Sequence, residues 1–216
     1  GFYDGILPLE KEKDEALAAS ADLLDEEEWK TAYDVKKFKW DLTGLDLWKK
    51  MLTVPTLNID GIKGGYIGEG SKTLLPHEVT VKMDIRLVPG MKPDEMLKKV
   101  RKHLDSRGFQ DIEIEEYGKP YDPSSVPYHS SSVQTLKKTD ELMGTRPQIW
   151  PWNPGSAPYF LFEKILGIPY VTGGMGHGSR QHSSNEYCTV KGVLDFEKSM
   201  IYYLKLFPEY ADSKKK

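Results

Sequence analysis

Val79-Thr80-Val81-Lys82-Met83-Asp84-Ile85-Arg86-Leu87 alternates apolar and polar residues without a break. A period of two marks a strand with one buried and one wet face. Pro89-Gly90 stops the run, and Lys92-Pro93-Asp94-Glu95 opens a helix with proline near its first turn. Met96, Val100 and Leu104 give that helix an apolar stripe, and Gly108 closes it. Residues 110–117 alternate again through Ile112 and Ile114, so 78–117 reads as β-α-β. A sheet with helices on one face is the economical way to bury such surfaces.

Upstream, Leu57, Ile59 and Gly61 alternate with polar residues before Gly64-Gly65 turns the chain. Residues 10–30 are rich in Glu, Lys, Asp, Ala and Leu, and Leu17, Ala21 and Leu24 share a helical stripe followed by Trp29. One or two amphipathic helices are expected there, with Asp25–Glu28 as a solvated face or first turn. Gly1-Phe2-Tyr3-Asp4-Gly5 reads as a strand end entering a turn.

Downstream, three prolines and a block of serines in residues 119–132 mark the passage between domains. Beyond it the pattern predicts a helix over 132–143 closed by Gly144 and a strand over 148–152. A helix over 157–166 closed by Gly167 follows, then a strand over 168–172. A glycine-rich loop, 173–184, leads to a last helix over about 190–207, and Lys214-Lys215-Lys216 is read as a frayed tail. Alternating helix and strand is an α/β signature.

Composition narrows the function. The 216 residues suit one large domain or two small ones, and 30 basic against 33 acidic residues leave a net charge of −3. That balance argues against a general nucleic-acid binder. Cys188 is the only cysteine, which excludes an internal disulfide and any multi-cysteine metal site. No apolar run approaches the roughly 18 residues of a membrane span, and no signal peptide is read at the start. A cytoplasmic protein is expected.

Chemistry concentrates in Gly173-Gly174-Met175-Gly176-His177-Gly178-Ser179-Arg180-Gln181-His182-Ser183-Ser184-Asn185-Glu186, which follows an expected strand. Imidazole is the commonest metal ligand near neutral pH, and Glu186 or Asn185 is placed to orient His182. Taken alone, His182 reads more readily as a loop histidine in water than as a ligand. His177, five residues away, forms no standard helical ligand pair with it. Thr73, in Gly70-Ser71-Lys72-Thr73-Leu74-Leu75-Pro76, is either a binding anchor or part of a simple turn. Gly155-Ser156 either presents N–H groups and a hydroxyl to an anion or caps a helix.

In order, Pro55-Thr56-Leu57-Asn58-Ile59-Asp60-Gly61, the Gly70–Pro76 stretch, Asp84-Ile85-Arg86-Leu87-Val88-Pro89, Gly155-Ser156 and His182-Ser183-Ser184-Asn185-Glu186 form a set. Together they resemble the dinuclear zinc peptidases and deacylases. That family includes cytosolic non-specific dipeptidase, carnosinase, glutamate carboxypeptidase, acetylornithine deacetylase and succinyl-diaminopimelate desuccinylase. The first three motifs are most similar to the dipeptidase and carnosinase branch. The resemblance runs from Gly1 to about Phe207.

The resemblance implies an α/β protein with an α+β lid. Residues 1–117 would be most of an antiparallel-sheet lid and dimerisation domain with helices on one face, and 118–216 the C-terminal part of an α/β metallopeptidase catalytic domain. It implies that His182 is a metal ligand, that Arg86 grips the substrate carboxylate, that Thr73 reaches the partner subunit's site, and that Ser156 binds substrate. Two divalent ions are implied, zinc first and cobalt or manganese otherwise, activating a bridging water that attacks a peptide or amide carbonyl. The implied partners are a second copy, through the lid, and a peptide or N-acyl amino-acid substrate. The general base and the other ligands would lie in an N-terminal half preceding Gly1, so no catalytic residue is expected in this chain, which alone should be inactive. An apolar face beyond about Lys119 should then be exposed. Glu116 stands where the dipeptidase branch has a histidine, which leaves an N-acyl amino-acid deacylase open, and a non-catalytic dimerisation module is the remaining alternative.

Overall fold

The computed structural model describes residues 2–212; Gly1 and residues 213–216, with the basic tail, fall outside the described residues. The order is α1 (Lys11–Ala19), α2 (Glu26–Ala32), α3 (Gly44–Thr53), β1 (Thr56–Gly64), β2 (Val79–Arg86), α4 (Pro93–Ser106), α5 (Ser131–Leu142), β3 (Gly178–Ser179), β4 (Tyr187–Cys188) and α6 (Val190–Asp212). Mixed helices and small antiparallel sheets make up the architecture.

The predicted stripe of the first helices forms the best-enclosed core. Leu17, Trp48 and Leu52 are buried together, with Ala21, Leu24, Trp29 and Trp150 packed around them. Trp48 meets Trp29 edge-on at 5.4 Å between ring centroids and Trp150 at 5.0 Å. Asp25 caps α2 by accepting the Glu28 amide, and Glu26–Glu28 occupy its first turn, where carboxylates suit the helix dipole. Lys13 is nearly inaccessible, and its ammonium donates to Ser125 Oγ at 2.6 Å, tying α1 to the segment before α5. A second cluster joins Val88, Met91 and Met96 with Ile85, Leu87 and Trp152 around it.

β1 and β2 pair antiparallel, with Leu57 opposite Ile85, Ile59 opposite Met83 and Ile62 opposite Val81. Asp60 is an extra residue at a bulge between Ile59 and Gly61. The bulge changes the phase of β1, so Ile62 joins Leu57 and Ile59 on the apolar face although its spacing from them is odd. The burial expected for that face is not found: Ile59, Met83 and Val79 are all more than half exposed. The sheet has only two strands, and α4 turns Met96 toward Val88 and Met91 rather than over the ribbon.

Further expectations need correction. The strand over 110–117 is absent: it finds no pairing partner within the described residues, and the Arg101 guanidinium takes the carbonyls of Ile112 and of Phe109 just before it. The stretches 148–152 and 168–172 do not form strands, since neither finds a pairing partner within the described residues. The helix over 157–166 shrinks to one π-helical turn, Leu161–Ile165, after tight turns in which the Tyr159 amide reaches the Ala157 carbonyl and the Leu161 amide that of Pro158. Phe2–Gly5 is a turn without a strand end.

α5 and α6 pack closely through small residues. Thr135, Thr139 and Ser199 are fully buried, and each hydroxyl bonds back to a carbonyl of its own helix. None of these three hydroxyls is thereby stranded. As expected, the segment beyond Lys119 exposes apolar side chains, including Ile165, Leu166, Ile168, Val190, Leu194, Ile201 and Leu204.

Candidate active-site residues

Arg86 ends β2 opposite Thr56, on the polar face of the ribbon. Its Nε donates to Asp84 Oδ2 at 2.7 Å, and Asn58 Nδ2, across the ladder, donates to Asp84 Oδ1 at 3.2 Å. Loss of part of its hydration, and then the hydrogen-bonded Asp84 carboxylate, lift Asp60 above the ordinary carboxylate value, while Arg86 opposes the shift. Asp84 is the residue that reasoning from sequence left without a role. Its signal was present: positions 84 and 86 share a strand face by the period of two.

Thr73 lies in the exposed connection between β1 and β2, where Lys72 accepts the Leu74 amide at its carbonyl in a tight turn. Ser156 is also exposed, after a turn in which the Gly155 amide donates to Asn153 Oδ1 at 2.7 Å. The cap reading of Ser156 fails, because the nearest helical turn begins only at Leu161.

His182 sits at the tip of a short hairpin whose base pairs Gly178 with Cys188 and Ser179 with Tyr187. The base is pinned to α6: the Thr189 amide donates to the His177 carbonyl at 2.9 Å, and Thr189 Oγ1 accepts the Gly192 amide at 3.1 Å. A Cβ on Gly192 would stand 2.5 Å from the His177 amide nitrogen, so only glycine lets helix and hairpin approach this closely. At the tip, Arg180, His182 and Asn185 all have φ near +60°. That conformation is uncommon for arginine and histidine and concentrates at functional sites. The His182 amide donates to Glu186 Oε2 at 3.3 Å, and the ring is exposed.

No hydrogen bond or ion pair among the described residues joins any two of Thr73, Arg86, Ser156 and His182. No group of three or more His, Cys, Asp or Glu side chains is placed to hold a metal ion among the described residues. A structural metal site needs about four donors and a catalytic one about three. The donor set of the described residues therefore does not amount to a metal centre.

Residues 14–111 match the family model described as the peptidase dimerisation domain, M20_dimer. The chain is 29% identical to the Cys-Gly metallodipeptidase DUG1 of Candida albicans over 96% of its own length and 43% of that relative's. It is 37% identical to the human Beta-Ala-His dipeptidase over 49% of its length and 20% of that enzyme's. The M20 family metallo-carboxypeptidase Sso-CP2 of Sulfolobus solfataricus superposes with a TM-score of 0.80 at 31% identity, over 96% of this chain and 47% of that one. The chain thus spans less than half the length of each. Residues 14–111 carry an M20 peptidase dimerisation domain, and the chain is homologous to part of the M20 metallodipeptidases and metallocarboxypeptidases.

Proposed function

We propose that this chain is the lid and C-terminal portion of a dinuclear, zinc-dependent peptidase of dipeptidase or carboxypeptidase type. In this reading the enzyme works in the cytoplasm as a homodimer joined through residues 1–117, and residues 118–216 complete a catalytic domain whose other half lies elsewhere. The observation that carries it is the TM-score of 0.80 to a metallo-carboxypeptidase over 96% of the chain. The two bound ions would supply charge to polarise the scissile carbonyl and activate water.

The chain's own residues supply the remaining functions. His182 contributes one ligand from a strained hairpin tip; its position is fixed by Thr189 and Gly192 at the start of α6. Arg86 binds the substrate carboxylate, since a planar fork of N–H groups fits two carboxylate oxygens. Thr73 extends from an exposed loop toward the partner subunit's site, and Ser156 offers its hydroxyl to substrate. The exposed apolar side chains of α6 are the surface against which the rest of the catalytic domain packs.

The test uses the full-length protein. His182→Ala should lower metal content per subunit and reduce dipeptide hydrolysis by more than about a hundredfold, beyond what loss of an orienting residue costs. Unchanged metal content and turnover would contradict the assignment.

A further inference from the structure

The guanidinium of Arg86 is held from one side. Nε donates to Asp84 at 2.7 Å, and no other hydrogen bond or ion pair engages the guanidinium among the described residues. Both terminal nitrogens are therefore unoccupied. Asp84 is itself gripped: Asn58 Nδ2 reaches Oδ1 at 3.2 Å and Oδ2 at 3.4 Å. The backbone sets this up, since Asp84 and Arg86 share a strand face and Asn58 stands directly opposite Asp84.

An arginine on an open ribbon samples many rotamers, and ordering it on binding costs affinity. Fixing Nε orients the guanidinium plane and turns the Nη1–Nη2 edge outward, the edge that matches a carboxylate with two parallel N–H groups. We propose that Asp84 is a positioning residue that holds Arg86 by Nε and presents its Nη edge to the carboxylate of a peptide substrate, with Asn58 keeping Asp84 in place. The proposal rests on the reading of Arg86 as the carboxylate anchor.

Its opposite is equally specific. If Asp84 acts only as a negative charge beside Arg86, it repels an incoming carboxylate, and removing it tightens binding. The experiment compares a dipeptide bearing a free C-terminal carboxylate with the same dipeptide as its carboxamide, on the full-length protein and its Asp84→Ala, Asp84→Asn and Arg86→Ala variants. Asp84→Ala should raise KM for the carboxylate substrate about five- to tenfold, the scale of one typical net hydrogen bond, with kcat within about twofold. KM for the carboxamide should stay within about twofold. Asp84→Asn, which keeps an acceptor without the charge, should fall between.

A fall in the carboxylate KM on Asp84→Ala, or equal shifts for both substrates, overturns the proposal. If Arg86→Ala changes the carboxylate-to-carboxamide ratio and Asp84→Ala does not, the anchor stands and the positioning role is wrong. If neither changes it, the anchor reading falls and takes this inference with it. Should Asp84→Ala fail to fold, Asn58→Leu serves in its place, with a smaller rise confined to the carboxylate substrate expected and no selective rise counting against the proposal.

Discussion

The helical cluster around Trp48 and the stretch from Trp150 to Cys188 are both rich in aromatic and aliphatic side chains, yet they fold to different degrees. Around Trp48, three helices close on one another, and Leu17, Trp48 and Leu52 are almost inaccessible. From Trp150 to Cys188, one π-helical turn and two two-residue strands are all the regular structure that forms. The difference is one of partners. A helix satisfies its backbone within itself, whereas a strand needs a neighbour for every second amide and carbonyl. Trp150 and Trp152 still show the alternation of a strand, one packing on each N-terminal cluster, without a ladder to join.

The largest expected effect breaks the closed side of this comparison. Trp48→Ala should cost about 3–5 kcal/mol in urea unfolding, as for other large buried aromatics. Trp48→Phe should cost much less, because the indole N–H is buried with no acceptor and nothing polar is lost with it. Next, Gly192→Ala probes the point where α6 anchors the end of the open side. The Cβ would meet the His177 backbone at 2.5 Å, so a loss of about 1–3 kcal/mol is expected, read as faster hydrogen exchange at the Thr189 amide.

Leu204 sharpens the contrast between chain and whole protein. It is 71% exposed here, so Leu204→Ser should change the stability of the 216-residue chain by no more than about 0.5 kcal/mol. In the full-length protein the same substitution should cost at least about 2 kcal/mol by thermal unfolding if α6 is covered there.

The smallest effect concerns Asp140 on α5, whose Oδ1 is buried without a partner and whose burial lifts it above the ordinary 3.8. A carboxyl raised in the folded state favours folding most below the unfolded value. Its contribution is lost as pH rises through the folded one. Asp140→Asn should therefore be more stable than the parent at neutral pH, with the difference vanishing at about pH 3 in urea titrations.

Local patterns carried much of the fold into view. The alternation from Val79 to Leu87 and the proline at the start of α4 each describe a self-contained element, and each forms, whereas Leu17, Ala21 and Leu24 pack on one cluster although α1 ends at Ala19 and Leu24 is extended. Partnership is what local pattern does not specify. The alternation of Ile112 and Ile114 is genuine, but it finds no pairing partner within the described residues, and Arg101 takes the Ile112 carbonyl. At the ribbon, only the family resemblance marked Arg86, while the clasp from Asp84 and Asn58 required the register of β1 against β2. His182 stood out by residue type, but its strained backbone has no signature in sequence.

The most direct test of the proposal that the active site is completed outside this chain is dipeptide turnover with added Zn²⁺, measured side by side for the 216-residue chain and the full-length protein. Hydrolysis by the full-length protein and none by the chain is the predicted result. Turnover by the pure chain would contradict it.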